Sequence, residues 1–175
     1  LINVTATSVG DPENATDTIQ STNVIMVDLG FNVNWAVKTD VNEQKKITVD
    51  PGKTSVATLG INNIGNINDT YEIVFQGVPS DWKMNVDTEH NPGWVFNDEK
   101  MSLRGIELSS YHFKENTTGV TVFITPPIDA KEGETAIITA VGESYLSKLS
   151  GQDAKGKHDD DLIAEVSAFR AVEIE

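Results

Sequence analysis

Alternation of apolar and polar residues between positions 47 and 82 constrains the fold of this chain more than any other feature of its sequence. A Pro51-Gly52 turn lies near the start of the stretch, a polar corner rich in Asn and Gly divides it, and Trp82 closes it. The apolar positions are Ala57, Leu59 and Ile61 before the corner and Tyr71, Ile73 and Phe75 after it. Period-two hydrophobicity on both sides of a turn cluster predicts two paired strands, each with one buried face.

The same alternation returns along the rest of the chain. We expect further strands over residues 31–37, 46–49, 83–86, 106–108, 120–125, 136–141 and 162–174, with irregular loops over 88–100 and 145–160. No segment has a convincing helical period, so the sequence predicts an all-β chain. The core is expected to contain Val37, Leu59, Ile61, Tyr71, Ile73, Phe75, Val122, Ile124, Ile138 and either Val166 or its neighbour.

Length, charge and cysteine content limit the class of the protein. At 175 residues the chain is long enough for one well-cored domain and short for two. Its net charge of −14 argues against nucleic acid and anionic membrane surfaces as partners, because both require basic patches. It contains no cysteine, which excludes thiol catalysis, and no apolar run approaches the roughly 18 residues of a membrane span.

The beginning of the chain predicts that it is a piece of a longer protein. No signal peptide is visible after Leu1. Residues 2–8 (INVTATS) resemble residues 138–144 (ITAVGES), and a polar loop, an Asp and a strand follow each of them. We interpret residues 1–29 as the terminal hairpin of a preceding repeat plus a junction, and residues 30–175 as the next repeat. The alternative is that two unrelated hairpins share the simple alternation of strands.

A set of turn and strand motifs resembles a known family. The motifs are Pro51-Gly52-Lys53 ahead of a strand, Asn62…Gly65-Asn66…Asp69-Thr70-Tyr71, Gly77…Pro79…Trp82, and Thr125-Pro126-Pro127…Asp129-Ala130…Gly133-Glu134 with a strand ending at Ser144. Together they resemble the archaeal and bacterial surface-protein repeats related to the NEW3 and CARDB domains. The resemblance implies an immunoglobulin-like β-sandwich, for which we expect about seven or eight strands.

The resemblance also implies a role for the domain. Repeats of this kind are similar to one another in serving as spacers and as adhesion or assembly modules of exported proteins, or as accessory domains beside glycosidases. We therefore expect a non-catalytic structural or adhesion repeat of an exported, archaeal cell-surface protein, located outside the cell or on its surface. The expected partners are neighbouring repeats of the same protein and a protein or glycan, with no nucleic acid and no direct insertion into a membrane.

Signatures of catalysis are missing from the sequence. It has no G-x-S-x-G, no H-E-x-x-H and no Gly-rich phosphate loop. The three histidines, His90, His112 and His158, are scattered along the chain with no pair at metal-ligand spacing. We therefore predict a chain that is not an enzyme and holds no cofactor.

Two segments, 88–118 and the loop 145–160, are longer than we expect for the family, and a specific activity would most readily reside there. Trp94 lies in a Pro-Gly loop beside His90, and a loop aromatic of this kind can stack on a sugar ring or anchor a protein. The alternative function is therefore a carbohydrate-binding accessory module that uses Trp94, His90 and Tyr111. The structural interpretation of Trp94 is a side chain that folds back to plug its own loop.

Two further kinds of site follow from short patterns. The acidic residues Asp153, Asp159, Asp160 and Asp161 offer oxygen ligands for Ca²⁺, although their spacing lacks the alternation of a calcium loop and a solvated charge run is the simpler interpretation. Four N-x-[ST] sequons, at Asn3, Asn14, Asn68 and Asn116, are candidates for N-glycosylation if the protein is exported.

Overall fold

The computed structural model describes residues 2–7, 16–21, 28–40, 42–150 and 157–167. Its strands are β1 (Ile2–Thr7), β2 (Thr16–Ser21), β3 (Phe31–Trp35), β4 (Lys46–Val49), β5 (Ser55–Asn63), β6 (Asp69–Gln76), β7 (Lys83–Val86), β8 (Val95–Asn97), β9 (Ser102–Leu108), β10 (Thr117–Thr125), β11 (Thr135–Ser144) and β12 (Lys157–Val166). A 3₁₀ turn at Lys114–Asn116 and a short helix, α1 (Tyr145–Ser150), complete the elements. No helix in these ranges is long and apolar enough to cross a membrane.

The strands after β2 form two sheets. One has four strands in the order β3-β5-β10-β7, and the other has six in the order β4-β12-β11-β6-β9-β8. All neighbours in both sheets are antiparallel except β4 and β12, which pair in parallel. Seven of these strands are arranged as in an immunoglobulin constant-type domain, namely the four strands of the first sheet and β12, β11 and β6 of the second. The β8–β9 hairpin extends the second sheet beyond β6.

The core lies between the two sheets because each strand buries alternate residues. Trp35, Leu59 and Ile73 are among the most deeply buried side chains. Of the core residues expected from the sequence, Val37 is partly buried against the core and the other nine are fully buried. The all-β, immunoglobulin-like sandwich predicted from alternation and resemblance is confirmed, with ten strands in its two sheets rather than seven or eight.

Three local expectations were wrong. The loop expected over 88–100 contains β8, and the loop expected over 145–160 contains α1 and the first residues of β12. The last strand was expected over 162–174 but begins at Lys157. Three-residue strands and six-residue helices are too short to show a period. The acidic run of β12 joins the sheet because its backbone pairs with β11, from Glu143 opposite Lys157 onward.

Strands β1 and β2 form a separate two-stranded sheet. They pair antiparallel, with Ile2 opposite Ser21 and Val4 opposite Ile19. In the described ranges this sheet has no third strand. The division into a hairpin of a preceding repeat at 1–29 and a repeat at 30–175 stays a prediction, and residues 168–175 lie outside the described ranges.

Candidate functional site

One end of the sandwich carries a group of exposed apolar side chains. We call this surface the end face and define it by Ile64, Ile67, Tyr111, Phe113, Tyr145 and Leu149, which are between 36% and 67% exposed. They belong to the corner between β5 and β6, the loop after β9 and helix α1, and β6 and β9 pair at this end through Asp69 and Leu108. Exposed apolar residues that gather in this way, rather than lying singly, mark an interaction surface.

The loop that carries Tyr111 and Phe113 is held by hydrogen bonds at successive residues. Ser110 N–H donates to Asn68 Oδ1 at 2.9 Å. Tyr111 N–H donates to the Gly65 carbonyl at 3.0 Å, and Phe113 N–H donates to the Ser110 carbonyl at 3.0 Å. The backbone of the loop is therefore fixed while its aromatic rings remain exposed, which lowers the entropy lost when a partner binds.

The corner between β5 and β6 is organised by the buried side chain of Asn63. Its Nδ2 donates to the Ile67 carbonyl at 2.9 Å, and its Oδ1 accepts Gly65 N–H at 2.9 Å. A side chain at Gly65 has no room, because a Cβ there would lie 2.6 Å from the Asp28 carbonyl oxygen. These contacts explain why the corner needs Asn and Gly and why Ile64 and Ile67 point outward.

Helix α1 is fixed to the same end by Asp69, which is only 7% exposed. Ser144 lies just before the helix, accepts the N–H of Ser147 on Oγ at 3.0 Å, and donates its hydroxyl to Asp69 Oδ2. The other oxygen of Asp69 accepts Leu146 N–H at 3.2 Å. This is the hydrogen bonding of a helix N-cap, and it presents Tyr145 and Leu149 to solvent.

A compact group of ion pairs lies beside Tyr145. Glu72 and Glu143 face each other across β6 and β11, and Lys148 Nζ binds both, at 3.1 and 2.5 Å. Arg104 Nε adds a bond of 2.7 Å to Glu72. Although burial raises the pKa of Glu72, the hydrogen bonds from Arg104 and Lys148 outweigh it and hold that pKa below its usual value. Hydrogen bonding to Glu143 is the main reason why the pKa of Lys148 is raised.

These ion pairs line a shallow depression of about 300 Å³ between Tyr145 and Arg104. The two carboxylates and the two cations of the cluster are paired with one another. The Tyr and Arg side chains of the depression are of the kinds enriched at protein interfaces. The residues that line the depression therefore form a polar border beside the apolar end face.

The structure separates Tyr111 from the other two residues predicted to bind a glycan, Trp94 and His90. Trp94 lies beside Gly105, in the middle of β9. The two segments approach so closely that a Cβ on Gly105 would lie 2.1 Å from the Gly93 carbonyl oxygen. The Trp94 side chain packs in part on the core. His90 is 84% exposed and lies 3.5 Å from Asp87. Tyr111 lies beyond the end of β9, with its ring 3.8 Å from that of His112. Tyr111 thus belongs to the end face, and Trp94 does not.

The acidic run on β12 links the two sheets. Asp160 Oδ2 accepts Trp35 N–H at 2.6 Å and binds Lys45 Nζ at 2.5 Å, while its carbonyl accepts Trp35 Nε1–H at 3.1 Å. Asp161 accepts the hydroxyl of Thr139 at 2.7 Å. Among the described residues no three His, Asp or Glu side chains converge as a metal site would require, and Asp153 lies outside the described ranges.

The sequons differ in their surroundings. Asn68 is exposed, and its Oδ1 accepts Ser110 N–H. Asn116 is half-buried, and its Nδ2 donates to Asn62 Oδ1 at 3.1 Å and to the Asn63 carbonyl at 3.2 Å. Asn3 lies in β1, and Asn14 lies outside the described ranges. A glycan on Asn116 would take the place of one of the two Nδ2 hydrogens, so at least one of these two bonds would be lost.

The sequence offered few signals for the end face. Ile64 and Ile67 stand in a corner of Asn and Gly residues that we interpreted only as a turn, and α1 was expected to be loop. Loop apolar residues such as Ile64, Phe113 and Leu149 carry no period, so only the three-dimensional arrangement brings them together. An available signal was the number of large apolar residues in segments otherwise typical of polar turns.

Fold and surface together define an immunoglobulin-like β-sandwich with an apolar end face. The chain is similar to CaCohA2 from Clostridium acetobutylicum, with a TM-score of 0.50 and 10% identity over 80% of this chain and 92% of that one. Likeness at this identity shows the fold alone.

Two further solved structures are similar at lower TM-scores. The SafD adhesin of Salmonella has a TM-score of 0.48 and 8% identity over 79% of this chain and 99% of that one. The seventh ScaB type I cohesin of Pseudobacteroides cellulosolvens has a TM-score of 0.46 and 12% identity over 83% and 97%. No protein-family model matches the sequence, and no curated protein matches it.

Proposed function

We propose that this chain is a non-catalytic structural and adhesion domain of an exported, archaeal cell-surface protein, one of a series of repeats related to the NEW3 and CARDB domains. The observation that carries the proposal is the end face, a preorganised apolar surface at the end of the sandwich where the chain enters. Its centre consists of Ile, Tyr, Phe and Leu with charges at its rim, the composition of a protein-binding patch.

The two acidic residues whose pKa values are lowered make structural contacts. Asp50 has a lowered pKa because it accepts hydrogen bonds from Ser167 and Lys53, the ion pair with Lys53 adding to the effect. Glu72 is engaged by Arg104 and Lys148 in the same way. Both carboxyl groups tie segments of the sandwich together, which is a structural role.

Export can be tested on intact cells of the source organism. We expect a membrane-impermeant amine-reactive biotin reagent to label the protein at exposed lysines such as Lys53, which has a 75% exposed side chain. Peptides that carry the label are then identified by mass spectrometry. Labelling only after lysis would contradict a location at the cell surface, and labelling of a cytoplasmic marker in the same sample would show that the cells had leaked.

A carbohydrate-binding accessory module is the second candidate, and the exposed ring pair of Tyr111 and His112 on a fixed loop favours it. Stacking of a sugar on these rings predicts glycan-array binding that Tyr111→Ala abolishes. Trp94→Ala tests the other arrangement, with Trp94 and His90 as the platform. The absence of binding to any glycan by the unaltered protein would dismiss both versions.

A further inference from the structure

Two features of the described chain bear on docking: the end face is an exposed apolar surface, and β1 and β2 form a sheet of two strands. The remaining large exposed apolar residues are spread over other parts of the sandwich: Val56, Val95, Ile128 and Ile137. The strands β1 and β2 contain a single charged residue, Asp17, and a two-stranded sheet alone is marginally stable in water. Both surfaces would therefore gain from a partner.

The junction between them is fixed to the end face. The Asp28 carbonyl accepts Asn66 N–H at 3.0 Å, and Asp28 N–H donates to Asn66 Oδ1 at 2.9 Å. The Gly30 carbonyl accepts the N–H groups of Ile64 and Gly65 at 2.9 and 3.0 Å. Between them Leu29 is buried. The chain thus enters the sandwich along the β5–β6 corner, in contact with the end-face residue Ile64.

The connection from the hairpin to this junction is short. Residues 22–27 join Ser21 to Asp28, a span of at most about 25 Å for a fully extended chain. Ile2 lies opposite Ser21, so the open end of the hairpin is the end attached to the sandwich. A tether of this length gives an effective concentration in the millimolar range, which a second copy of the chain at micromolar concentration does not reach.

We infer that the β1–β2 hairpin docks through its open end on the end face of the same chain. Docking covers Tyr111 and Phe113 and gives the hairpin the support that a third strand would otherwise supply. This inference rests on the proposed function in one respect: in a series of repeats, the β1–β2 hairpin is the last part of the preceding repeat. Successive units would then meet through a fixed joint rather than a flexible linker.

Amide hydrogen exchange of the full 175-residue chain tests the docking. The double variant Tyr111→Ser/Phe113→Ser removes two exposed rings, and Val56→Thr/Ile137→Thr is the matched control, because all four side chains are between 51% and 59% exposed. We expect exchange in residues 2–7 and 16–21 to be at least tenfold faster in the first variant and unchanged in the control. Exchange in β5 and β10 should be equal in all three proteins, which shows that the sandwich is folded.

Two results would overturn the docking. Equal hairpin exchange in the unaltered protein and the end-face variant would show that the hairpin does not use this surface. Protection that rises with protein concentration, together with a dimer mass by light scattering, would assign the hairpin to the end face of another copy. If the double variant unfolds, Ile67→Ser provides the same comparison. Surface labelling of cells does not depend on hairpin exchange, so docking and surface location can fail separately.

Discussion

Gly142 shows how a single position controls the packing of this sandwich. It lies in β11 against the ring of Phe31, which stacks on the ring of Tyr71 with 4.4 Å between the centroids. A Cβ on Gly142 would lie 2.1 Å from the Phe31 ring, which leaves no space for any side chain. The aromatic stack between the two sheets therefore requires glycine on the facing strand.

Gly142→Ala should destabilise the protein by about 1–3 kcal/mol, the usual cost of overpacking a core. Chemical denaturation measures the change. The matched control is Gly119→Ala, also in a strand, where the new Cβ would meet Thr58 at an ordinary 3.5 Å. We expect the control to stay within about 0.5 kcal/mol of the unaltered protein. Equal losses in both variants would show that the Phe31 ring moves aside without cost.

The ion pairs of Glu72 predict a pH dependence of stability. Because its pKa is lower in the folded protein than the ordinary value of 4.5, Glu72 stabilises the fold above that value, and the contribution disappears as pH falls through the folded pKa. The effect should be below about 1 kcal/mol, since the cluster is partly exposed. Denaturation midpoints of the protein and Glu72→Gln should differ at pH 6, and the difference should shrink as the pH falls below 4.5. A constant difference across this range would contradict the assignment.

The free edge of β3 is protected by the side chains of another strand. Val33 N–H donates to His158 Nδ1 at 3.3 Å and Trp35 N–H donates to Asp160 Oδ2 at 2.6 Å, so residues of β12 occupy donors that an incoming strand would use. Uncovered edges of this kind favour aggregation. The acidic run that we considered for calcium is thus part of how one sheet edge is closed.

Asp160→Ala tests this closure. It leaves the Trp35 N–H and the Lys45 ammonium without their carboxylate, and we expect a loss of about 1–3 kcal/mol in the free energy of unfolding. Asp161→Ala removes the same charge from the next position, where the carboxylate accepts a solvent-exposed hydrogen bond from the Thr139 hydroxyl, and should change stability by less than about 0.5 kcal/mol. A similar effect of both substitutions would mean that net charge, rather than the edge contact, determines the result.

At the scale of elements, period-two alternation was enough to predict most of the strands and nine of the buried core residues, whereas the immunoglobulin-like arrangement came from the resemblance. Strands such as β5, β6 and β10 bury every second residue, so the period is visible in the sequence. Helix α1 and β8 could not be predicted, because their positions depend on tertiary contacts: Asp69 for the helix and pairing with β9 for the strand. Tertiary context decides such short elements.

At the scale of the molecule, the sandwich places its distinctive chemistry at one end. The sequence singled out Trp94, which lies on the side of the domain, and Tyr111, which belongs to the end face. The end face itself combines two loops and a helix that are far apart in the chain, namely residues 64–68, 109–113 and 145–149. Proximity of this kind follows from the topology of the strands, and no local pattern in the sequence encodes it.

The central claim is that the end face binds the β1–β2 hairpin of its own chain. Backbone ¹⁵N relaxation of the full chain tests this claim most directly. If the hairpin is docked, the amides of residues 2–7 and 16–21 should tumble with the sandwich and have order parameters near the rigid value of about 0.85. Order parameters below about 0.6 in these residues, beside rigid values in β5 and β10, would show a hairpin that moves independently and would contradict the account.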